Sequence, residues 1–127
     1  VAVRDVFRLG SVDITPLPLQ HGKTVSLGYL MKVGGESLFA YLTDCNKVTD
    51  EVVDAVAGVR HLVIDALRER PHPTHLSTGE ALEIISRANP GQAWLTHLCH
   101  EHLHAELESR LPERVKIAYD GLVLELD

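Results

Sequence analysis

The chain has 127 residues, 45% of them hydrophobic and 24% charged, with a mean hydropathy of +0.02. These values suit one globular domain with a single core and exclude a disordered chain, and no apolar run approaches the roughly 20 residues that span a bilayer. A net charge of −6 and a pI near 5.7 argue against nucleic-acid binding through a basic surface, though not against a small anionic substrate held by metal ions.

Taken in chain order, residues 11–19, SVDITPLPL, begin as an alternating strand that Pro16 and Pro18 interrupt. Proline lacks the ladder donor, so the segment reads as an edge strand or an extended loop. Residues 25–33 place Val25, Leu27, Tyr29, Met31 and Val33 on one face at strand period, and Gly34-Gly35 reads as a tight hairpin turn. Residues 38–43, LFAYLT, form the returning strand, apolar on both faces and therefore central.

Thr49 caps a helix, with Asp50 and Glu51 at its positive end, Val52, Val53 and Val56 as its buried stripe and Gly58 as its terminator. HLVID, 61–65, is a short buried strand. Ser77-Thr78-Gly79-Glu80 is a capping box opening a helix with Ala81, Leu82, Ile85 and Ala88 on its core side, stopped by Asn89-Pro90-Gly91. AWLTH, 93–97, is another buried strand. A third helix is predicted over about 100–110 from Leu103, Leu107 and Leu111, ended by Pro112. VKIAY and LVLEL flank Asp120-Gly121, a strong hairpin signal. The class is α/β, with a mixed sheet and about three helices.

Several strands run into polar residues that a core would not select. Residues 38–43 lead into Asp44, 62–64 into Asp65, and 93–95 through Thr96 into His97. Ligands collect at the carboxyl ends of strands in open α/β sheets, and Asp and His are the side chains a divalent metal uses there. His21 follows the proline-containing segment and precedes Gly22; His75 sits in the loop PHPTHLS before a helix N-terminus, which favours an anion such as phosphate. Singly, each has a structural explanation: an Asp after a strand is usually a turn or cap residue, and a lone His is usually structural. His102 and His104 read as a solvated face beside Glu101, Glu106 and Glu108, and Asp120 as part of its turn. Cys45 and Cys99 form no disulfide framework and read first as small buried residues, consistent with a cytoplasmic location. VAVRDVFRLG shows no signal-peptide pattern and no initiator Met.

Taken together, PLPLQHGKTVSLGYLM, YLTDCN, LVIDALRERPHPTHLS, AWLTHLCH and VKIAYDGLVLEL, in that order, resemble the C-terminal half of a metallo-β-lactamase-fold hydrolase. The branch it looks most like is the cyclic phosphate phosphodiesterases of the carbon–phosphorus lyase pathway, with the tRNA 3′-processing endonucleases more distant. The resemblance covers about Val12 to Leu126. It implies an αββα sandwich of which residues 1–127 form the C-terminal half. It also implies hydrolysis of a small (cyclic) phosphodiester through a two-metal-bound hydroxide, the metals being zinc or manganese.

By the same resemblance His21 binds the first metal, Asp44 bridges both, and His97 binds the second. His75 contacts the substrate phosphate as general acid or transition-state stabiliser, and Asp65 orients its loop from behind. His100 matches a position that joins N-terminal cysteines in a separate structural metal site; those cysteines are absent from these residues, as is the family's His-x-His-x-Asp-His motif, which supplies the other catalytic ligands. This chain alone is therefore expected to hold one metal weakly or none and to be inactive. An unpartnered sheet face would associate with the N-terminal half or form a homodimer. The alternatives are a same-fold hydrolase of an ester, thioester or lactone, and a non-catalytic dimerising or metal-binding module.

Overall fold

The computed structural model describes residues 5–98 and 108–126. Seven strands lie in one sheet in sequence order: β1 (Phe7–Leu9), β2 (Val12–His21), β3 (Thr24–Val33), β4 (Glu36–Leu42), β5 (His61–Asp65), β6 (Gln92–Thr96) and β7 (Val115–Ile117). The first three pairings are antiparallel and the last three parallel. Consequently β2, β4, β5, β6 and β7 all run one way, and the ends of β2, β4, β5 and β6 share one edge of the sheet.

The proline-containing segment is a correction to the sequence reading. β2 runs unbroken through both prolines, with Pro16 opposite Tyr29 and Pro18 opposite Leu27 on β3. In an antiparallel strand alternate residues bond to opposite neighbours. Gln20, of the same parity, turns its N–H outward to Lys47 O at 3.3 Å, away from β3. Pro16 and Pro18 therefore place their missing donors on the outer edge, where β1, paired only with residues 12–14, no longer reaches. The strand Phe7–Leu9 itself carried no signal in the sequence reading: all three residues are exposed, so it has no burial alternation.

Gly34 and Gly35, at φ 58° and 83°, make the left-handed two-residue turn between β3 and β4. α1 (Asp50–Ala55) is capped by Thr49, whose hydroxyl accepts from Val52 N. α2 (Thr78–Ala88) opens with the reciprocal Ser77–Glu80 capping box and ends at a left-handed Asn89. Both helices pack one face of the sheet. There Val52, Val53, Ala81, Ile84 and Ile85 meet Leu17, Leu19, Leu30, Leu42, Leu62, Ile64 and Leu95. On β3 the core face is thus that of Gly28 and Leu30, while Tyr29 and Met31 belong to the opposite face.

That opposite face carries Met31, Phe39, Tyr41 and Val63, and the C-terminal segment lies across it through Leu122, Leu124 and Leu126. The expected hairpin at Asp120-Gly121 is corrected accordingly. The turn forms, with Leu122 N donating to Tyr119 O at 3.0 Å and Gly121 at φ 88°, but residues 122–126 form no strand. Their alternating leucines cover apolar surface instead of extending the ladder, and Arg60 Nη1 donates to Leu126 O at 2.8 Å. The helix expected over 100–110 lies mainly outside the described residues. Among those described, no helix is long and apolar enough to cross a membrane.

Candidate functional site

The shared sheet edge gathers His21, Asp44, Asp65, His75 and His97. His21 closes β2, Asp44 follows β4, Asp65 closes β5, His97 follows β6, and His75 arrives on the loop before α2. Backbone bonds lock these segments together. Cys45 N donates to Asp65 Oδ2 at 3.1 Å, Leu76 N to Cys45 O at 2.8 Å, and Ala66 N to Thr96 O at 3.0 Å. Gly22 N donates to Asn46 Oδ1 at 2.8 Å, and Gly22 is left-handed at φ 61°; a Cβ there would stand 3.0 Å from Thr74 Cγ2. The His21 turn and the His75 loop are in close contact through that pair.

Asp44 and His97 have left-handed backbones, at φ 55° and 64°. Such a conformation costs a non-glycine residue on the order of 1 kcal/mol and is retained where its surroundings impose it. Asn89, the remaining positive-φ residue besides glycine among those described, is accounted for as a helix cap. The two strained turns aim Asp44 and His97 at each other, with Asp44 Oδ1 3.5 Å from His97 Nδ1.

Asp65 is fully buried, and its Oδ2 accepts from His75 Nδ1 at 2.8 Å as well as from Cys45 N. Because Nδ1 faces a carboxylate, His75 presents Nε2 to the cluster. Its ring stacks on His97 at a centroid distance of 4.4 Å and meets His21 edge-on at 5.1 Å. Ligand atoms of His21, Asp44 and His75 all lie within 4.8 Å of one another, and so do those of Asp65, His75 and His97. The second grouping is the Asp–His pair itself with His97 beside it, since Asp65 Oδ2 is already engaged. Asp65 Oδ1 is buried with no hydrogen-bond partner among the described residues. Asp44 and His97 are 59% and 40% exposed in their side chains, so a ligand can reach them, whereas Asp65, at 0%, can act only through His75.

The Cys45 thiol, beside this cluster, is pushed up to about 12 by burial and then by the Asp65 and Asp44 carboxylates. It stays protonated and inert at neutral pH. His72 is a neighbour to which the sequence reading assigned no role. Its ring lies 5.4 Å from that of His75, and its Nδ1 accepts from Thr74 N at 3.2 Å. Partial burial, then the neighbouring Arg68 guanidinium and the His75 ring, hold His72 below the ordinary histidine value. The signal was present in the Pro-His-Pro-Thr-His frame, but a spacing of three in a loop does not predict a shared pocket. His100 lies outside the described residues.

Comparison with known proteins gives the family and the fold. A family model described as "Beta-lactamase superfamily domain" matches residues 1–98. An octanoyltransferase of Porphyromonas gingivalis (strain ATCC BAA-308 / W83) is 32% identical over 123 residues, covering 95% of this chain and 24% of that protein. A solved structure of a diphosphatase from the PhnP family superposes with a TM-score of 0.88 at 30% identity, covering 95% of this chain and 46% of the other. The short form of human tRNase Z superposes at 0.75 with 17% identity, over 95% and 44%, a likeness of fold alone. The chain thus spans about a quarter of the length of the curated relative and about half that of the solved structures.

Proposed function

This chain belongs to the β-lactamase superfamily, and from that premise we propose that it supplies one half of a two-metal hydrolase centre that cleaves a small phosphodiester. The observation that carries the reading is the Asp65–His75 pair, a fully buried carboxylate holding an imidazole whose free nitrogen faces His21 and Asp44. The likeness to a diphosphatase favours phosphorus over carbonyl substrates.

The residues present fit a divalent metal. His21, Asp44 and His97 offer imidazole nitrogen and carboxylate oxygen, donors that suit zinc and manganese alike. Two of the three are set by strained backbone, and both of those are open to solvent. A bound divalent ion supplies Lewis-acid polarisation of the substrate and lowers the pKa of coordinated water. The chain's own contribution to the reaction is His75. Asp65 fixes its ring and tautomer, so that Nε2 can hold a proton and deliver it to the leaving oxygen, or donate a hydrogen bond to a developing charge. The further ligands that a two-metal centre needs would come from a segment bearing His-x-His-x-Asp-His, a motif that residues 1–127 do not contain.

Metal analysis and one substitution test this. The chain alone should retain fewer than two ions, and joining it to a segment bearing His-x-His-x-Asp-His should restore two together with phosphodiesterase activity. In that restored enzyme His75→Ala should keep the metal and lose about 10²- to 10⁴-fold in kcat. Full metal content with an unchanged rate would overturn the role of His75.

A further inference from the structure

His72 and His75 stand side by side but are wired in opposite senses. His75 Nδ1 faces the Asp65 carboxylate, which can only accept, so Nδ1 carries a proton and Nε2 is the nitrogen left to take up or release one. His72 Nδ1 faces the Thr74 backbone N–H, which can only donate, with the Thr74 hydroxyl 3.3 Å from the same nitrogen. Its lone pair is therefore engaged at Nδ1 and its proton sits on Nε2. The loop thus holds, 5.4 Å apart, one imidazole that exchanges a proton at Nε2 and a second that is a standing Nε2–H donor.

The loop bearing them is built to hold that arrangement. Arg68 Nε donates to Arg70 O at 3.2 Å and Arg68 Nη2 to Pro71 O at 3.0 Å, closing the backbone just before His72. Thr78 N donates to Arg68 O at 2.9 Å, anchoring the loop to the start of α2. The loop is also a locally cationic part of an acidic chain. It carries Arg68 and Arg70 against Glu69, and Glu69 is paired with Arg110 at 3.1 Å. These features suit an anion.

We propose that His72 is a specificity residue that donates from Nε2 to a non-bridging oxygen of the substrate phosphoryl group while His75 handles the proton of the leaving oxygen. The proposal rests on the phosphodiester reading of the site and narrows it. A phosphodiester anion offers two non-bridging acceptors beside its leaving oxygen, so two adjacent imidazole nitrogens with different tasks match it. A carboxylic ester offers a single carbonyl oxygen, which a polarising metal ion would occupy, so the His72 donor would be left without a partner. Its surroundings, Arg68 among them, hold His72 below the ordinary histidine value, which favours the ring that donates from Nε2 alone.

The test uses the chain joined to the segment bearing His-x-His-x-Asp-His and loaded with zinc, labelled with ¹⁵N in its histidines, and diphenyl phosphate as the probe. Long-range ¹H–¹⁵N correlation should show His72 as the Nε2–H tautomer near pH 7.5, with its Nε2 resonance moving as the probe is added. His72→Ala should weaken probe binding about tenfold, the worth of one hydrogen bond to a charged group. His72→Gln, which keeps a distal N–H, should stay within about threefold and so separates donor loss from loop collapse. An Nδ1–H tautomer at His72, or equal probe affinity in the wild-type and His72→Ala chains, overturns the proposal and leaves the phosphodiester reading standing. Failure of the joined wild-type protein to bind the probe overturns both.

Discussion

Cys45 occupies a fully buried position between two carboxylates, with its Sγ 3.8 Å from Leu42 O, and its proton affinity follows from that setting. The thiol rises from its ordinary value of 9.0 to about 12 in the folded chain. Below pH 9 the thiol is protonated in both folded and unfolded chains, and stability is unaffected. Between about 9 and 12 the unfolded chain loses the proton first, so stability falls as pH rises. Urea unfolding over that range should show a declining limb that Cys45→Ala flattens. With Cys99 replaced by Ser, Cys45 should also resist thiol reagents at pH 8 until the protein is unfolded; rapid labelling of the native chain would contradict this burial. The same residue scale shows what was legible in the sequence. His21, Asp44, Asp65, His75 and His97 stand out as polar residues at strand or loop ends, and the structure gathers all five. Their division of labour was not legible, because it depends on which nitrogen of each ring meets a donor or an acceptor across the fold.

At the scale of elements, the strands that place the site are held close by a residue with no side chain. A Cβ on Gly28 of β3 would stand 2.6 Å from Tyr41 O and 3.0 Å from Leu19 and Leu42 side chains. Gly28→Ala should force β3 and β4 apart and cost about 2 kcal/mol, read as a lowered urea midpoint with an unchanged slope. A stability within about 0.5 kcal/mol of wild type would show that the sheet yields there. Capped helices and short buried strands were readable because their signals are local: Thr49, the Ser77–Glu80 box and the run HLVID each act within a few residues. The errors came from elements defined by distant partners. Pro16 and Pro18 break a strand only if both edges are paired, and neighbours far along the chain decide that. Asp120-Gly121 predicts a hairpin only if the next segment has no better place for Leu122, Leu124 and Leu126, and the open sheet face provides one.

At the scale of the whole molecule, the sheet is asymmetric: one face is packed by two helices and the other is crossed by residues 122–126, with Tyr41 and Tyr119 still 42% and 57% exposed. A domain with so much apolar sheet in reach of solvent runs the risk of joining its neighbours edge to edge. The two outward-facing prolines of β2 bear on that risk. Along residues 15–19, where no strand among the described residues pairs with the outer side of β2, the margin lacks two of the donors that a stray strand would need, so a growing ribbon finds no continuous template there. Pro16→Thr with Pro18→Thr should restore those donors with little effect on the monomer's fold, yet make concentrated samples scatter light and bind amyloid dyes on warming, where the parent stays clear. The prolines that look in the sequence like faults in a strand thus serve as a guard against polymerisation, independent of any chemistry at the opposite end of the same strand.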